Sequence, residues 1–318
     1  MTYQVFIDGE AGTTGLQVRD RLLAHPDIGL VTIDPDLRKD PKARREAMAQ
    51  ADVAILCLPD EAAIEAVELA EGLNVKIIDA STAFRTHPDW AYGFPELDKN
   101  QRDIIRSSSR IANVGCYATA MIAMIRPLVD AGLIAPETVL NISAISGYTG
   151  GGKALIQYME ADEGPKHFAY ASTLHHKHIP EVVHHSRLTA APTFLPSVGD
   201  FDCGMLVQLP LTSHLLEKSA TRQDLHDVYA SHYEGETFVK TTALDENNGL
   251  TDRGFLAADA LKGTNMLELH ILGHDSDSTQ DMQAMIVARL DNLGKGASGA
   301  AVQNLNLILG LDEAATLI

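Results

Sequence analysis

Residues 3–15 read YQVFIDGEAGTTG, and Leu16, Arg19, Leu22 and Leu23 continue them at helical spacing. A short apolar strand thus runs through a glycine-rich turn into a helix. Gly9, Gly12 and Gly15 let the backbone turn sharply, approach a pyrophosphate closely and pack the helix on its strand, while the helix start accepts anionic charge. The spacing is G-x-x-G-x-x-G in place of G-x-G-x-x-G, so the strand before and the helix after carry the reading. Gly9, Gly12, Thr13 and Gly15 are the candidate phosphate-facing residues.

The same alternation continues outward. GLVTID (29–34), DVAILCLP (52–59) and VKIIDAS (75–81) read as strands, with a charged helix and EAAIEAVELAEG (61–72) between them. Strands alternating with helices predict a parallel sheet covered on both faces. Residues at the carboxyl ends of such strands line a ligand crevice, which nominates Pro59 and the segment DASTAFR (79–85), with Ser81 as a cofactor contact. Cys57, mid-strand, reads as core. Asp34 ends the second strand, where a carboxylate takes ribose hydroxyls. Arg38, Lys39 and Lys42 follow and suit a 2′-phosphate. RKDPKARR (38–45) also reads as a solvated basic helix start.

From about Thr138 the texture changes to longer strands: TVLNISAISG (138–147), FDCGMLVQLPL (201–211), MLELHILG (266–273) and DMQAMIVARLD (281–291), with TRQDLHDVYASHY (221–233) as a helix. Fewer crossovers predict a mixed or antiparallel sheet, of a kind that often supplies an oligomer interface. The apolar helix from about Ser298 is expected to return to the first domain. The predicted division is therefore 1–137 plus 297–318 as the dinucleotide-binding domain and 138–296 as a second α/β domain.

At 318 residues, 45% hydrophobic and 21% charged, the chain suits two globular domains. Its 43 acidic against 25 basic residues give a net charge of −18, which argues against nucleic acid or an anionic membrane as partner. No apolar run approaches a membrane span, and MTYQVFIDGE lacks the features of a signal peptide. Cys57, Cys116 and Cys203 are odd in number and far apart, suggesting neither disulfides nor a zinc motif. The expectation is a cytoplasmic protein with reduced thiols.

Cys116 lies between a small glycine turn and an apolar helix in IANVGCYATAMIAMIRPLVDAG (111–132). Free N–H groups and the macrodipole at a helix start lower a thiol's pKa, making Cys116 a candidate nucleophile. STLHHKHIPEVVHHSRL (172–188) gathers five histidines. His176 and His178 are candidate acid/base groups; a metal site is the weaker reading, because no third ligand is evident, and none is expected. His184 and His185 fall on the helix that Pro180 and Glu181 begin. In SGYTGGGKA (146–154), three glycines end a strand and Lys153 is placed to meet a phosphate or carboxylate.

Taken together, GEAGTTG, DASTAFR, NVGCYAT, SGYTGGGK, HHKHIPE and DNLGKGASGAAVQNLNLILG resemble the N-acetyl-gamma-glutamyl-phosphate reductase family, in its shorter subfamily, over essentially the whole chain. The resemblance implies a Rossmann domain with an inserted α/β domain, as in aspartate-semialdehyde dehydrogenase, NADP as cofactor, assembly into dimers or tetramers, and a place in arginine biosynthesis. It implies that Cys116 displaces phosphate from a small acyl-phosphate substrate to form a thioester, that one of His176 and His178 (His178 favoured) moves the proton, and that Asn304 faces the cofactor. Arg110, Arg85 and Lys153, in that order, are the cations expected to hold the substrate. Two segments depart from the family pattern: Asn-Pro-Gly-Cys reads Asn113-Val114-Gly115-Cys116, and Ser-Gly-Ala-Gly-Arg reads Thr149-Gly150-Gly151-Gly152-Lys153. Two other readings stand beside it: a different acyl-phosphate reductase such as aspartate-semialdehyde dehydrogenase, and an inactive NADP-binding sensor.

Overall fold

A computed structural model describes residues 2–161, 164–244, 249–274 and 282–317. The chain divides into two compact units, Met1–Gly115 with Ala297–Ile318, and Cys116–Gly296.

The first unit is built on β1 (Tyr3–Asp8), α1 (Thr13–Leu23), β2 (Ile28–Val31), α2 (Pro41–Gln50), β3 (Val53–Leu56), α3 (Asp60–Leu69), β4 (Lys76–Asp79), β5 (Ala91–Gly93), α4 (Gln101–Ser107) and β6 (Arg110–Asn113). Its six strands are parallel, in the order β2-β1-β3-β4-β6-β5. All four residues of β3 are fully buried, as expected of a central parallel strand covered by helices on both faces. The chain leaves β1 for β2 on one side and crosses to β3 on the other, so the glycine turn after β1 sits at the switch point of the sheet. A C-terminal helix, Gly299–Leu309, is buried along nearly its whole length and packs on α1, α4 and strands β4 to β6.

Three details differ from expectation. β2 stops at Val31, because Asp34 starts a separate turn at Pro35–Leu37, its carboxylate accepting the Asp36 N–H at 3.0 Å. Asp40 caps α2 by accepting from the Ala43 N–H at 2.8 Å, with Pro41 opening the helix. Arg44 in that helix is not solvated; it is buried, and both Nε and Nη2 lie 2.9 Å from Asp8 Oδ2 at the end of β1.

The second unit comprises α5 (Cys116–Asp130), β7 (Asn141–Gly147), α6 (Gly152–Glu160), β8 (His167–Ala169), α7 (Ile179–His185), β9 (Thr193–Gly199), β10 (Met205–Thr212), α8 (Arg222–His232), β11 (Val239–Thr241), β12 (Leu267–His274) and β13 (Gln283–Leu290). The seven-stranded sheet has the order β11-β12-β13-β10-β7-β9-β8 and is mixed, as the sequence suggests: β7 with β9 and β11 with β12 are parallel pairs, the rest antiparallel. Asp281, the first residue of the last expected strand, lies outside the described residues.

The nucleophile-bearing helix is a correction to the predicted boundary at residue 137. α5 belongs to the second unit, packing on β10, β13, α7 and α8. Pro127 interrupts its hydrogen-bond ladder, since a proline has no N–H to give the Ala123 carbonyl. The buried Tyr233 hydroxyl donates to that carbonyl at 2.9 Å, and Tyr229 of α8 donates to the Met124 carbonyl at 2.6 Å. These bonds tie the helix to the sheet it lies on.

Candidate active site

Cys116 is the first residue of α5 and is partly exposed. The other two thiols are poor competitors. Burial pushes the Cys57 thiol up to about 12, helped by the charges of Asp79 and Asp8, and burial raises Cys203 as well.

Around the start of α5 the second unit assembles rings. Tyr117 packs against His176 at 5.6 Å and His178 at 6.2 Å between ring centroids, and against Phe194 at 5.2 Å. The two imidazoles meet edge to face at 4.7 Å. Tyr170 places its hydroxyl 3.5 Å from His176 Nε2. Burial raises both phenols, Tyr170 to about 12 and Tyr117 further, and negative charge at Cys116 adds to each shift. Both tyrosines therefore remain protonated, and both sense the thiol.

The two histidines are not equivalent. The His178 backbone N–H donates to His176 Nδ1 at 3.2 Å, so a neutral His176 carries its proton on Nε2, facing the Tyr170 hydroxyl. Burial, with the adjacent Lys177 charge, lowers its pKa to about 4. His178 sits at the N-cap of α7 and is 5% exposed. Pro180 stands in the first turn of that helix, and His184 and His185 follow on it as expected. Among the described residues, no group of three or more His, Cys, Asp or Glu side chains is placed to hold a metal.

In the first unit the glycine turn forms a cradle. A Cβ on Gly9 would lie 2.3 Å from the Cys57 carbonyl oxygen, and one on Gly15 would lie 2.5 Å from the Gly9 carbonyl oxygen. Gly9 is also at φ +86°, a conformation that only glycine adopts freely. The Gly12 N–H donates to the Gly9 carbonyl at 2.9 Å, and among the described residues no side chain caps α1, which Thr13 opens. An uncapped helix start behind a tight glycine turn fits the phosphates of a dinucleotide. A second observation fits as well: Asn304 Oδ1 is fully buried with no hydrogen-bond partner among the described residues, while its Nδ2 donates to the Gly93 carbonyl at 2.9 Å and to Asn113 Oδ1 at 3.1 Å. Arg38 is exposed just after the Pro35–Leu37 turn.

Ser81, Arg85 and Arg110 each have partners within the first unit. Ser81 is buried and donates its hydroxyl to Asp79 at 2.6 Å. Arg85 is buried too, Nε donating to the Asn113 carbonyl at 3.0 Å and Nη2 to the Ala80 carbonyl at 3.1 Å, so it braces the end of β6. Arg110 opens β6 at the amino end of the parallel sheet, away from the carboxyl ends where ligands bind. There it donates to the Val75 and Ser109 carbonyls at 3.1 and 3.2 Å. Of the three expected cations, Arg85, Arg110 and Lys153, only Lys153 is exposed, as the second residue of α6.

Sequence reasoning missed Asn113, whose Nδ2 also donates to the Ala297 carbonyl at 2.9 Å. Its position three residues before the cysteine was the available signal. Tyr170, six residues ahead of His176 in an irregular loop, offers none.

Two family models match the chain: semialdehyde dehydrogenase, NAD binding domain, over residues 31–105, and semialdehyde dehydrogenase, dimerisation domain, over residues 116–292. Among curated proteins it is similar to N-acetyl-gamma-glutamyl-phosphate reductase 2 of a Nostoc species, 46% identical with 98% of each chain covered. The N-acetyl-gamma-glutamyl-phosphate reductase of Brucella anthropi is 47% identical, covering 98% of this chain and 99% of its own. Among solved structures, aspartate semialdehyde dehydrogenase II of Vibrio cholerae, complexed with ASA, has a TM-score of 0.71 at 15% identity over 98% of this chain and 99% of its own. The aspartate semialdehyde dehydrogenase of Francisella tularensis has a TM-score of 0.72 at 15% identity, over 97% and 100%. At that identity, these two structures establish the fold.

Proposed function

Since this chain belongs to the N-acetyl-gamma-glutamyl-phosphate reductase family of semialdehyde dehydrogenases, we propose that it reduces N-acetyl-gamma-glutamyl phosphate to N-acetylglutamate 5-semialdehyde, with Cys116 as nucleophile and His178 as acid/base. The observation that carries the residue roles is the asymmetry of the histidine pair. His176 is held neutral in one tautomer, so proton transfer falls to its neighbour.

Cys116 attacks the acyl carbon and phosphate leaves, giving a thioester on Sγ. The backbone N–H groups at the start of α5 stabilise the thiolate and the tetrahedral oxyanion. A nicotinamide cofactor, when bound, supplies hydride to the thioester carbonyl. His178 donates a proton to the resulting oxyanion and takes it back as the hemithioacetal collapses to the aldehyde and returns the Cys116 thiolate. Gly9, Gly12, Thr13 and Gly15 would hold the cofactor phosphates, and Asn304 Oδ1 would accept a hydrogen bond from the bound cofactor. The cofactor is NADP. Asp34, the ribose-reading carboxylate, spends an oxygen on its own turn, whereas the Arg38 guanidinium is exposed beside it and suits a 2′-phosphate. Lys153 is the cation left to meet substrate.

The enzyme acts as a homo-oligomer. On one face of the seven-stranded sheet Ser143, Leu195, Gln208, Leu272 and Met285 are wholly or partly exposed while His270, Val287 and Arg289 are buried; on the opposite face Ile142, Phe194, Leu209 and Ile286 are buried. A face left partly open, with Leu195 and Leu272 exposed, suits a second copy, and the family model over this unit is described as a dimerisation domain. Among the described residues no helix is long and apolar enough to cross a membrane. A catalytic reduced thiol suits the reducing cytoplasm.

Aspartate-semialdehyde dehydrogenase activity is the weaker reading, because the likeness to those enzymes stands at 15% identity. The test is the reverse reaction: protein, N-acetylglutamate semialdehyde, phosphate and NADP, followed by absorbance of the reduced cofactor. Phosphate-dependent reduction is the expected result. A signal with aspartate semialdehyde alone would move the assignment to that activity, and silence with both would leave a sensor.

A further inference from the structure

Gly296 sits inside a single π-helical turn, Gly294–Ser298, whose N–H donates to the Asp291 carbonyl at 3.1 Å across five residues. Its φ lies outside the left-handed region, so backbone conformation does not call for glycine here. Space does. A Cβ at position 296 would stand 2.7 Å from Cys116 Cβ and 3.0 Å from Cys116 Cα, with the Asp291 carbonyl oxygen at 3.3 Å. The first of these is closer than side-chain carbons approach one another, and the atoms it meets belong to the residue that opens α5. Insertions of this π type recur at functional sites, where one extra residue re-aims a short stretch of backbone.

We propose that Gly296 is a positioning residue for the nucleophile: its bare Cα forms the wall against which the Cys116 Cα–Cβ bond rests, setting where Sγ points. This rests on Cys116 being the nucleophile. A methyl group at 296 displaces Cys116 or forces its side chain over, moving the thiol from the acyl carbon by a fraction of an ångström, and misplacement on that scale costs up to about 10²-fold in rate. Substrate binding by the rest of the pocket is left alone, so the loss falls on kcat with KM little changed.

The experiment compares Gly296→Ala in two backgrounds, wild type and Cys116→Gly, with three readouts. Alkylation of Cys116 by iodoacetamide, followed by peptide mass spectrometry, is expected to change at least about tenfold in the single variant, and kcat to fall by about 10²-fold. The Tm loss caused by Gly296→Ala is expected to shrink when Cys116→Gly removes the Cβ it strikes. Alkylation at the wild-type rate overturns the proposal. So does an equal Tm loss in both backgrounds, or failure of both variants to fold, since glycine would then be required by the turn itself. Alkylation and Tm need no substrate, so they judge Gly296 even where the assigned reaction proves wrong.

Discussion

If His176 is a neutral, oriented imidazole, its titration must be displaced far from that of a free histidine. At a pKa of about 4 the ring is charged in about one molecule in a thousand at pH 7, against about a quarter at the ordinary value near 6.5. The sign for stability follows. Between pH 6.5 and pH 4 the unfolded chain takes up a proton that folded His176 refuses, so this group contributes stability above pH 6.5 that is lost as the pH falls towards 4. The assay is a heteronuclear NMR titration of the ring protons, assigned with a His176→Asn variant, beside pH profiles of kcat/KM for His176→Asn and His178→Asn. The His176 shifts are expected to stay flat down to about pH 5. His178→Asn is expected to lower kcat by about 10²–10⁴-fold, the usual contribution of a positioned acid/base group, and His176→Asn by less. A His176 midpoint near 6.5, or a deeper loss from His176→Asn than from His178→Asn, would refute the division of roles.

Three other outcomes are expected. Burial raises Asp79 to about 6, with the Ser81 hydroxyl opposing. Because that charge is costly in the folded state, Asp79→Asn should raise stability at pH 7.5 by about 1–3 kcal/mol, the gain vanishing towards pH 4 in denaturant melts. Tyr233→Phe removes the hydroxyl that serves the carbonyl orphaned by Pro127, at an expected cost of about 1–3 kcal/mol. That cost should shrink in a Pro127→Ala background, where an N–H is restored. Arg38→Ala should raise KM for NADP about tenfold or more while leaving NAD nearly unaffected, and an equal effect on both would remove Arg38 from the 2′-phosphate.

The doubly wound unit was legible because strand, glycine turn and helix each carry their own signal, from Tyr3 through to Asp79. β5 and β6 were not, because AYG and RIAN lack the aliphatic runs that mark VAIL and KIID. α5 shows a different limit. A helix buried on nearly every side has no polar stripe to say which sheet it faces, so its membership of the second unit came from packing alone. The thiol and the histidine pair could be found because cysteine at a helix start and closely spaced imidazoles are rare combinations. The cations could not be sorted. Position along the chain nominated Arg85 and Arg110, but whether a guanidinium is spent on main-chain carbonyls depends on where the chain folds back. Arg44 failed in the opposite sense, looking solvated in a basic run while finding Asp8 across the fold.

Covalent chemistry at Cys116 is the centre of the account, and it can be seen directly. The protein is mixed with N-acetyl-gamma-glutamyl phosphate in the absence of any nicotinamide cofactor, quenched in acid and digested. An N-acetylglutamyl adduct on the Cys116 peptide, with an equivalent of phosphate released and neither seen in Cys116→Ala, is the predicted result. An unmodified Cys116 peptide, with phosphate released only once cofactor is added, would contradict it.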